Sequence, residues 1–293
     1  PHLMATTPTG SPDDKTGQLA TSTARPGRNS SPPPEAPKDD ESKKGGPGSS
    51  GAPIEGEPDD TPSPATVVYN PPDVDPVCVV WDVDGVLVDS YAPHLKSWQQ
   101  TAEKLGVSYT EEDFLSGFGK TSREHLKENF GASMSDEQIE EIESEKEALY
   151  REMVMEEFPA MPGARELIQA LKGADFKIAL ATSGPAANLM LAVRLMKLQP
   201  FLSGVISGGD VAKGKPDPEI FLKVAKNCGV KPGRCVVIED SKFGVQAAKA
   251  AGMGVLGLLS TGHDASELTE ADRVVESLEG LAADDLRALL PKA

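Results

Sequence analysis

The chain has 293 residues, 46 of them acidic and 29 basic, for a formal net charge of −17. So acidic a balance argues against a nucleic-acid partner, because phosphate backbones are held by clustered Lys and Arg. No apolar run approaches the ~18 residues that a membrane-spanning helix needs, so no membrane partner is expected either.

Residues 1–75 hold 15 of the 25 prolines, 12 acidic against 6 basic residues, and one aromatic, Tyr69. Such a stretch cannot bury enough apolar surface to offset its ordering entropy. The expectation is a disordered tail, with polyproline character around Pro32, Pro33 and Pro34. It has no apolar core of a secretion signal, and its acidic residues speak against a transit peptide. The three cysteines, Cys78, Cys228 and Cys235, lie in apolar or helical stretches and read as buried thiols. A reducing cytoplasm is the expected compartment.

From Val77 the pattern changes. Val77–Trp81, Lys177–Ala181, Gly204–Ser207, Cys235–Ile238 and Gly254–Leu258 are short apolar runs without alternation, the mark of strands buried on both faces of a parallel sheet. Ala164–Lys172, Ala186–Met196, Pro218–Asn227 and Phe243–Ala251 carry apolar residues at three and four spacing and predict the intervening helices. The whole reads as an α/β doubly wound sheet. Almost a hundred residues separate the first strand from the second, too many for an ordinary crossover. Residues 94–158, rich in Glu, Lys and Leu with helical periodicity, predict an all-helical domain inserted into a core made of 76–93 and 159–293. Pro93, Pro159, Pro162 and Gly163 are the expected hinges.

Polar clusters follow the strands. Asp82 and Asp84 leave the first strand with Gly85 behind them, and Thr182-Ser183-Gly184, Lys213-Gly214-Lys215-Pro216 and Glu239-Asp240-Ser241 follow later ones. In an open α/β sheet, ligands bind at the carboxyl ends of strands. Two acids at i and i+2 also suit a plain solvated turn. Four clusters in this order would instead gather carboxylates, hydroxyls and an ammonium at one sheet edge.

These motifs, DxDGVLVDS, TS, KGKPDPE and EDS, resemble those of the haloacid dehalogenase superfamily over residues ~77–275, and the helical insert resembles its helical-cap class. The resemblance implies a Rossmann-like core with a cap and phosphoryl transfer on a small phosphorylated metabolite. It implies that Asp82 is the nucleophile that forms an aspartyl-phosphate and that Asp84 is the general acid and then the base. Thr182 and the amides after it, Ser183 included, would bind the phosphoryl oxygens, with Lys215 supplying positive charge. Mg²⁺ would be held by Asp82, the main-chain oxygen of Asp84, and Asp240, with Glu239 as ligand or just behind. An acid at position 84 is absent from the dehalogenases of the superfamily.

In the insert, His94 and Trp98 resemble the start of the cap of the β-phosphoglucomutase branch, where a histidine positions the acid/base aspartate. A His and a Trp on one helix face also suit plain packing. Lys120-Thr121-Ser122-Arg123 resembles that branch's cap loop, whose arginine meets a second phosphate. With Asp84 present, Lys120 reads as a cap lysine facing the substrate phosphate, without the imine chemistry of phosphonate-cleaving relatives. The activity expected is a Mg²⁺-dependent phosphatase, with a β-phosphoglucomutase-like phosphomutase as the alternative. Retention of every reactive residue type speaks against a third reading, a non-catalytic scaffold.

Overall fold

Strands buried on both faces need helices on both sides, and the computed structural model has that arrangement over the residues it describes, 75–117, 122–131, 133–262 and 264–292. The strands are β1 (Cys78–Trp81), β2 (Lys177–Ala181), β3 (Leu202–Ile206), β4 (Cys235–Glu239), β5 (Gly254–Leu258) and β6 (Arg273–Val275). They form one parallel sheet in the order β3-β2-β1-β4-β5-β6. Side chains alternate across it. Val79 and Trp81 of β1 and Val236 and Ile238 of β4 join one core layer, while Cys78, Val80, Cys235 and Val237 join the other. Cys78 faces Cys235 in register, and all three cysteines are free and buried.

Helices α5 (Ala164–Gly173), α6 (Ala186–Leu195) and α9 (Ala283–Arg287) cover the first layer, and α7 (Glu219–Cys228) and α8 (Lys242–Ala250) the second. On α5 the buried residues Ala164, Leu167, Ile168 and Leu171 recur at the spacing of a single helix face. The strands and helices read from the sequence are present, with ends shifted by a residue or two, but β3, expected to be buried on both faces, is a half-exposed strand at the sheet edge. The short elements β6 and α9 carry no signal in the sequence: three and five residues leave no room for periodicity.

Between β1 and β2 lie α1 (Tyr91–Leu105), α2 (Glu111–Ser116), α3 (Ser122–Asn129) and α4 (Asp136–Glu156). Capping boxes start α2 at Thr110 and α4 at Ser135, and Gly106 ends α1 with a left-handed φ of 68°. Their own small core joins Trp98, Phe114, Leu126 and Ile139. The two connections to the sheet run side by side: Asp89 N–H donates to Pro159 O (2.8 Å) and Met161 N–H to Leu87 O (3.0 Å). Pro93, read as a hinge, lies in the first turn of α1, where a missing N–H breaks no helical hydrogen bond. Among the described residues no helix is long and apolar enough to cross a membrane. The expected tail falls outside the described residues except for Asp75, whose carboxylate pairs with Lys231 at 2.9 Å.

Candidate active site

In the order β3-β2-β1-β4-β5-β6, the chain reverses direction of winding between β1 and β4, and a crevice opens beyond their carboxyl ends. The two strands that end there deliver acids. Asp82 follows β1, its N–H extending the ladder to Ile238 O at 3.0 Å, and Glu239 and Asp240 close β4. Asp82, Glu239 and Asp240 are all buried, with one carboxylate oxygen of each within 4.8 Å of the others. Gly85, at φ 73°, permits this approach: a Cβ there would stand 1.7 Å from Asp240 Oδ2.

Lys215 enters the cluster from the loop after β3. Its ammonium donates to Asp82 Oδ1 at 2.8 Å and to Glu239 Oε1, and it is almost fully buried. Burial alone would drive its proton off, but the two carboxylates outweigh that and hold its pKa above the usual lysine range. Burial pushes the Asp82 carboxyl well up, Lys215 opposing and the other two acids adding to the rise. Asp240 is pushed up to about 8 by burial and by Glu239, although Ser260 Oγ donates to it at 2.6 Å. Glu239 is satisfied on both oxygens, Oε2 accepting from the Ser241 N–H and hydroxyl at 2.8 and 2.9 Å. Buried, mutually repelling carboxylates with hard oxygen donors fit a divalent cation such as Mg²⁺. Glu239, with both oxygens so engaged, shares the cluster with Asp82 and Asp240.

Asp84, two residues beyond Asp82, lines the same cavity. Its Oδ1 meets His94 Nε2 and the Tyr150 hydroxyl, each at 3.1 Å. Lys146 Nζ stands 2.8 Å from His94 Nδ1. An ammonium only donates, so Nδ1 accepts and Nε2 carries the proton given to Asp84. Burial raises the Asp84 carboxyl, but the hydrogen bonds of His94 and Tyr150 prevail and hold it down to about 2. Thr182 is buried, its Oγ1 lying 3.5 Å from Asp84 Oδ2, and it accepts the Gly184 N–H at 2.9 Å. That amide, expected to cradle phosphoryl oxygens, is therefore engaged by the threonine. Ser183 is exposed at the cavity wall.

The cavity measures about 830 Å³ and is lined jointly by the sheet edge and by α1, α3 and α4, within the usual size range of small-molecule sites. Arg123 reaches its wall and pairs with Asp136 of α4. Trp98 is 5% exposed and packs in the core of the insert, with Lys146 Nζ 4.9 Å from its ring centroid, and it also borders the cavity. Lys120 lies outside the described residues. Sequence reasoning missed Lys146, Glu147, Tyr150 and Asn188. Lys146 is 2% exposed and bonded to Glu147 at 2.9 Å, and Glu147 accepts from Asn188 of α6 at 2.6 Å. The one signal available was the repeat of polar residues every three or four positions along α4, which any solvated helix face also shows.

This is the site architecture of a phosphoryl-transfer enzyme of the α/β class. Residues 77–252 match the haloacid dehalogenase-like hydrolases, and the chain belongs to that family. Its enzyme class is phosphoric monoester hydrolase. Among curated relatives, a phosphorylated carbohydrates phosphatase of Thermotoga maritima is 34% identical over 67% of this chain and 91% of its own length. A β-phosphoglucomutase of Bacillus subtilis is 32% identical over 61% and 82% of the two chains. Among solved structures, a β-phosphoglucomutase of Clostridium difficile superposes with a TM-score of 0.66 at 25% identity, covering 73% of this chain and 97% of that one.

Proposed function

We propose that the protein is a Mg²⁺-dependent phosphatase that hydrolyses a small phosphorylated metabolite, a sugar phosphate above all, through an aspartyl-phosphate on Asp82. The observation that carries this reading is the contact of Lys215 with Asp82 Oδ1 at 2.8 Å, in the cavity that Asp84 also lines. Lys215 favours the ionised nucleophile and engages one oxygen, leaving Oδ2 without a hydrogen-bond partner among the described residues. That oxygen attacks phosphorus while the bond to the leaving oxygen breaks and its electron pair stays with that oxygen. Asp84, ionised in the free site where its pKa is held to about 2, takes up a proton as the anionic phosphate binds beside it and supplies that proton to the leaving oxygen. Asp84 then takes a proton from water as the water oxygen attacks phosphorus, which frees Asp82 and phosphate. Thr182, Ser183 and Lys215 bind the phosphoryl oxygens. Asp82, Asp240 and the main-chain oxygen of Asp84 would hold the cation, with Glu239 beside them. When bound, Mg²⁺ supplies positive charge opposite the transferring group, which matters in a chain of net charge −17.

Residues 94–158 act in this reading as a cap over a core of 76–93 and 159–293, with His94 orienting Asp84 and Lys120 and Arg123 meeting the distal part of the substrate. The His94–Asp84 contact also suits a phosphomutase, in which the aspartyl-phosphate passes to a sugar hydroxyl instead of water. The names of the relatives span both activities. Turnover of p-nitrophenyl phosphate and of a panel of sugar phosphates with Mg²⁺ tests the proposal: free phosphate released without any sugar bisphosphate is the phosphatase result. Isomerised sugar phosphate that forms only with the bisphosphate present would replace it with the mutase.

A further inference from the structure

Oδ1 of Asp84 is held by two side chains from two different helices, while Thr182 Oγ1 stands 3.5 Å from Oδ2, and only one of the two on Oδ1, His94, belongs to a motif readable in the sequence. The other is Tyr150, on α4. Its side chain is 2% exposed, and its hydroxyl donates to Asp84 Oδ1 over 3.1 Å. Its ring lies flat on the His94 imidazole, the centroids 4.0 Å apart and the planes 9° from parallel. Neither ring can turn without displacing the other.

The seat of Tyr150 is built into α4 on both sides. One turn before it, Lys146 donates to His94 Nδ1 and to Glu147 Oε1. Glu147 accepts from Asn188 Nδ2 at 2.6 Å, and Arg151 donates to Asn188 Oδ1 at 3.0 Å, so α4 is tied to α6 of the sheet layer at the level of the tyrosine. A carboxylate with two donors on one oxygen has its plane and its second oxygen fixed. For Asp84 that second oxygen is Oδ2, on the side of Thr182.

From this geometry we propose that Tyr150 is a positioning residue for the reaction: its hydroxyl, together with His94, pins Oδ1 of Asp84 so that Oδ2 is the oxygen that carries the proton to the leaving group. The inference rests on the phosphatase reading, in which Asp84 is the acid. Tyr150 touches no reacting atom and acts through Asp84 alone.

The test uses the full chain with Tyr150→Phe, which keeps the ring and its stack on His94 and removes only the hydroxyl. Two substrates are compared with Mg²⁺ present, p-nitrophenyl phosphate and a sugar phosphate that the wild-type protein hydrolyses. The nitrophenolate leaves as a stable anion and needs no proton, whereas an alkoxide must be protonated as its bond to phosphorus breaks. kcat/KM reports formation of the phosphoenzyme and not its later hydrolysis, so loss of acid positioning should be selective. We expect kcat/KM for the sugar phosphate to fall about tenfold or more while that for p-nitrophenyl phosphate stays within about twofold. The ratio of the two values does not depend on how much of the variant is folded. An equal fall for both substrates, or no fall for either, overturns the inference. Failure of the wild-type protein to hydrolyse any phosphomonoester would defeat the phosphatase reading, and this inference with it.

Discussion

Asp82 carries one hydrogen bond from a lysine and sits within 4.8 Å of two further carboxylates, so its charge is the quantity the site is built around. Asp82→Asn keeps the shape and removes the charge. It should abolish turnover, by at least about a thousandfold, with the fold retained; activity within tenfold of wild type, measured on protein with an unchanged melting curve, would contradict the assignment. Asp240 makes a prediction of a different kind. Its carboxyl is pushed up to about 8, so without metal the folded state binds a proton that the unfolded chain has released. The contribution of Asp240 to metal-free stability therefore falls as pH rises from about 4 to about 8. A cation that occupies the cluster must displace that proton at low pH and meets a carboxylate at high pH. The rise in melting temperature on adding Mg²⁺ should accordingly be larger near pH ~8 than near pH ~6. Equal shifts at the two values would show that Mg²⁺ does not bind at Asp240. At Gly85, a φ of 73° and a Cβ position 1.7 Å from Asp240 Oδ2 leave no room for a side chain. Gly85→Ala should cost about 1–3 kcal/mol of stability and most of the activity, and an unchanged denaturation midpoint would count against this geometry.

At the scale of elements, α4 is the helix whose contribution was hidden. Asp82, Asp84, Glu239 and Asp240 were legible because each ends or closely follows a run with the unbroken apolarity of a buried strand, and Lys215 because of the KGKPDPE motif in the loop after β3; the strand order then has to bring them to one edge. Lys146, Glu147 and Tyr150 stand in a helix of alternating Glu, Lys and apolar residues, DEQIEEIESEKEALYREMVME, where nothing in the composition separates a buried ion pair from a solvated face. Which face α4 turns inward depends on its packing against α1, which no local pattern records. The tie between α4 and α6 has its own consequence. Burial raises the Glu147 carboxyl, while Lys146 and the Asn188 amide outweigh it and hold its pKa below the usual value. Asn188→Ala would leave a buried carboxylate oxygen without its donor and should destabilise the protein by about 1–3 kcal/mol, read by chemical denaturation. An unchanged midpoint would mean that the contact contributes nothing to holding α4 on the sheet layer.

For the whole molecule, composition alone divides the chain in two: a proline-rich stretch with one aromatic, then a segment with the patterning of a packed α/β fold. A stretch so poor in apolar side chains has little to pack with, so deleting residues 1–70 should leave kcat, KM and the melting temperature nearly unchanged. A large loss of stability would show that the stretch docks on the rest. The charge of −17 works against an anionic substrate, and the buried Lys215 is the local counterweight seated against the nucleophile itself. The central claim is that Asp82 takes the phosphoryl group and water removes it. It is tested most directly by mixing the protein with a hydrolysable phosphomonoester and Mg²⁺, quenching in acid at successive times, and measuring the mass of the peptide that contains Asp82. The account predicts a phosphoryl adduct on Asp82 that appears before free phosphate, decays in water as phosphate is released, and is absent from Asp82→Asn. Phosphate released at the wild-type rate with no adduct at any time, or released equally well by Asp82→Asn, would contradict it.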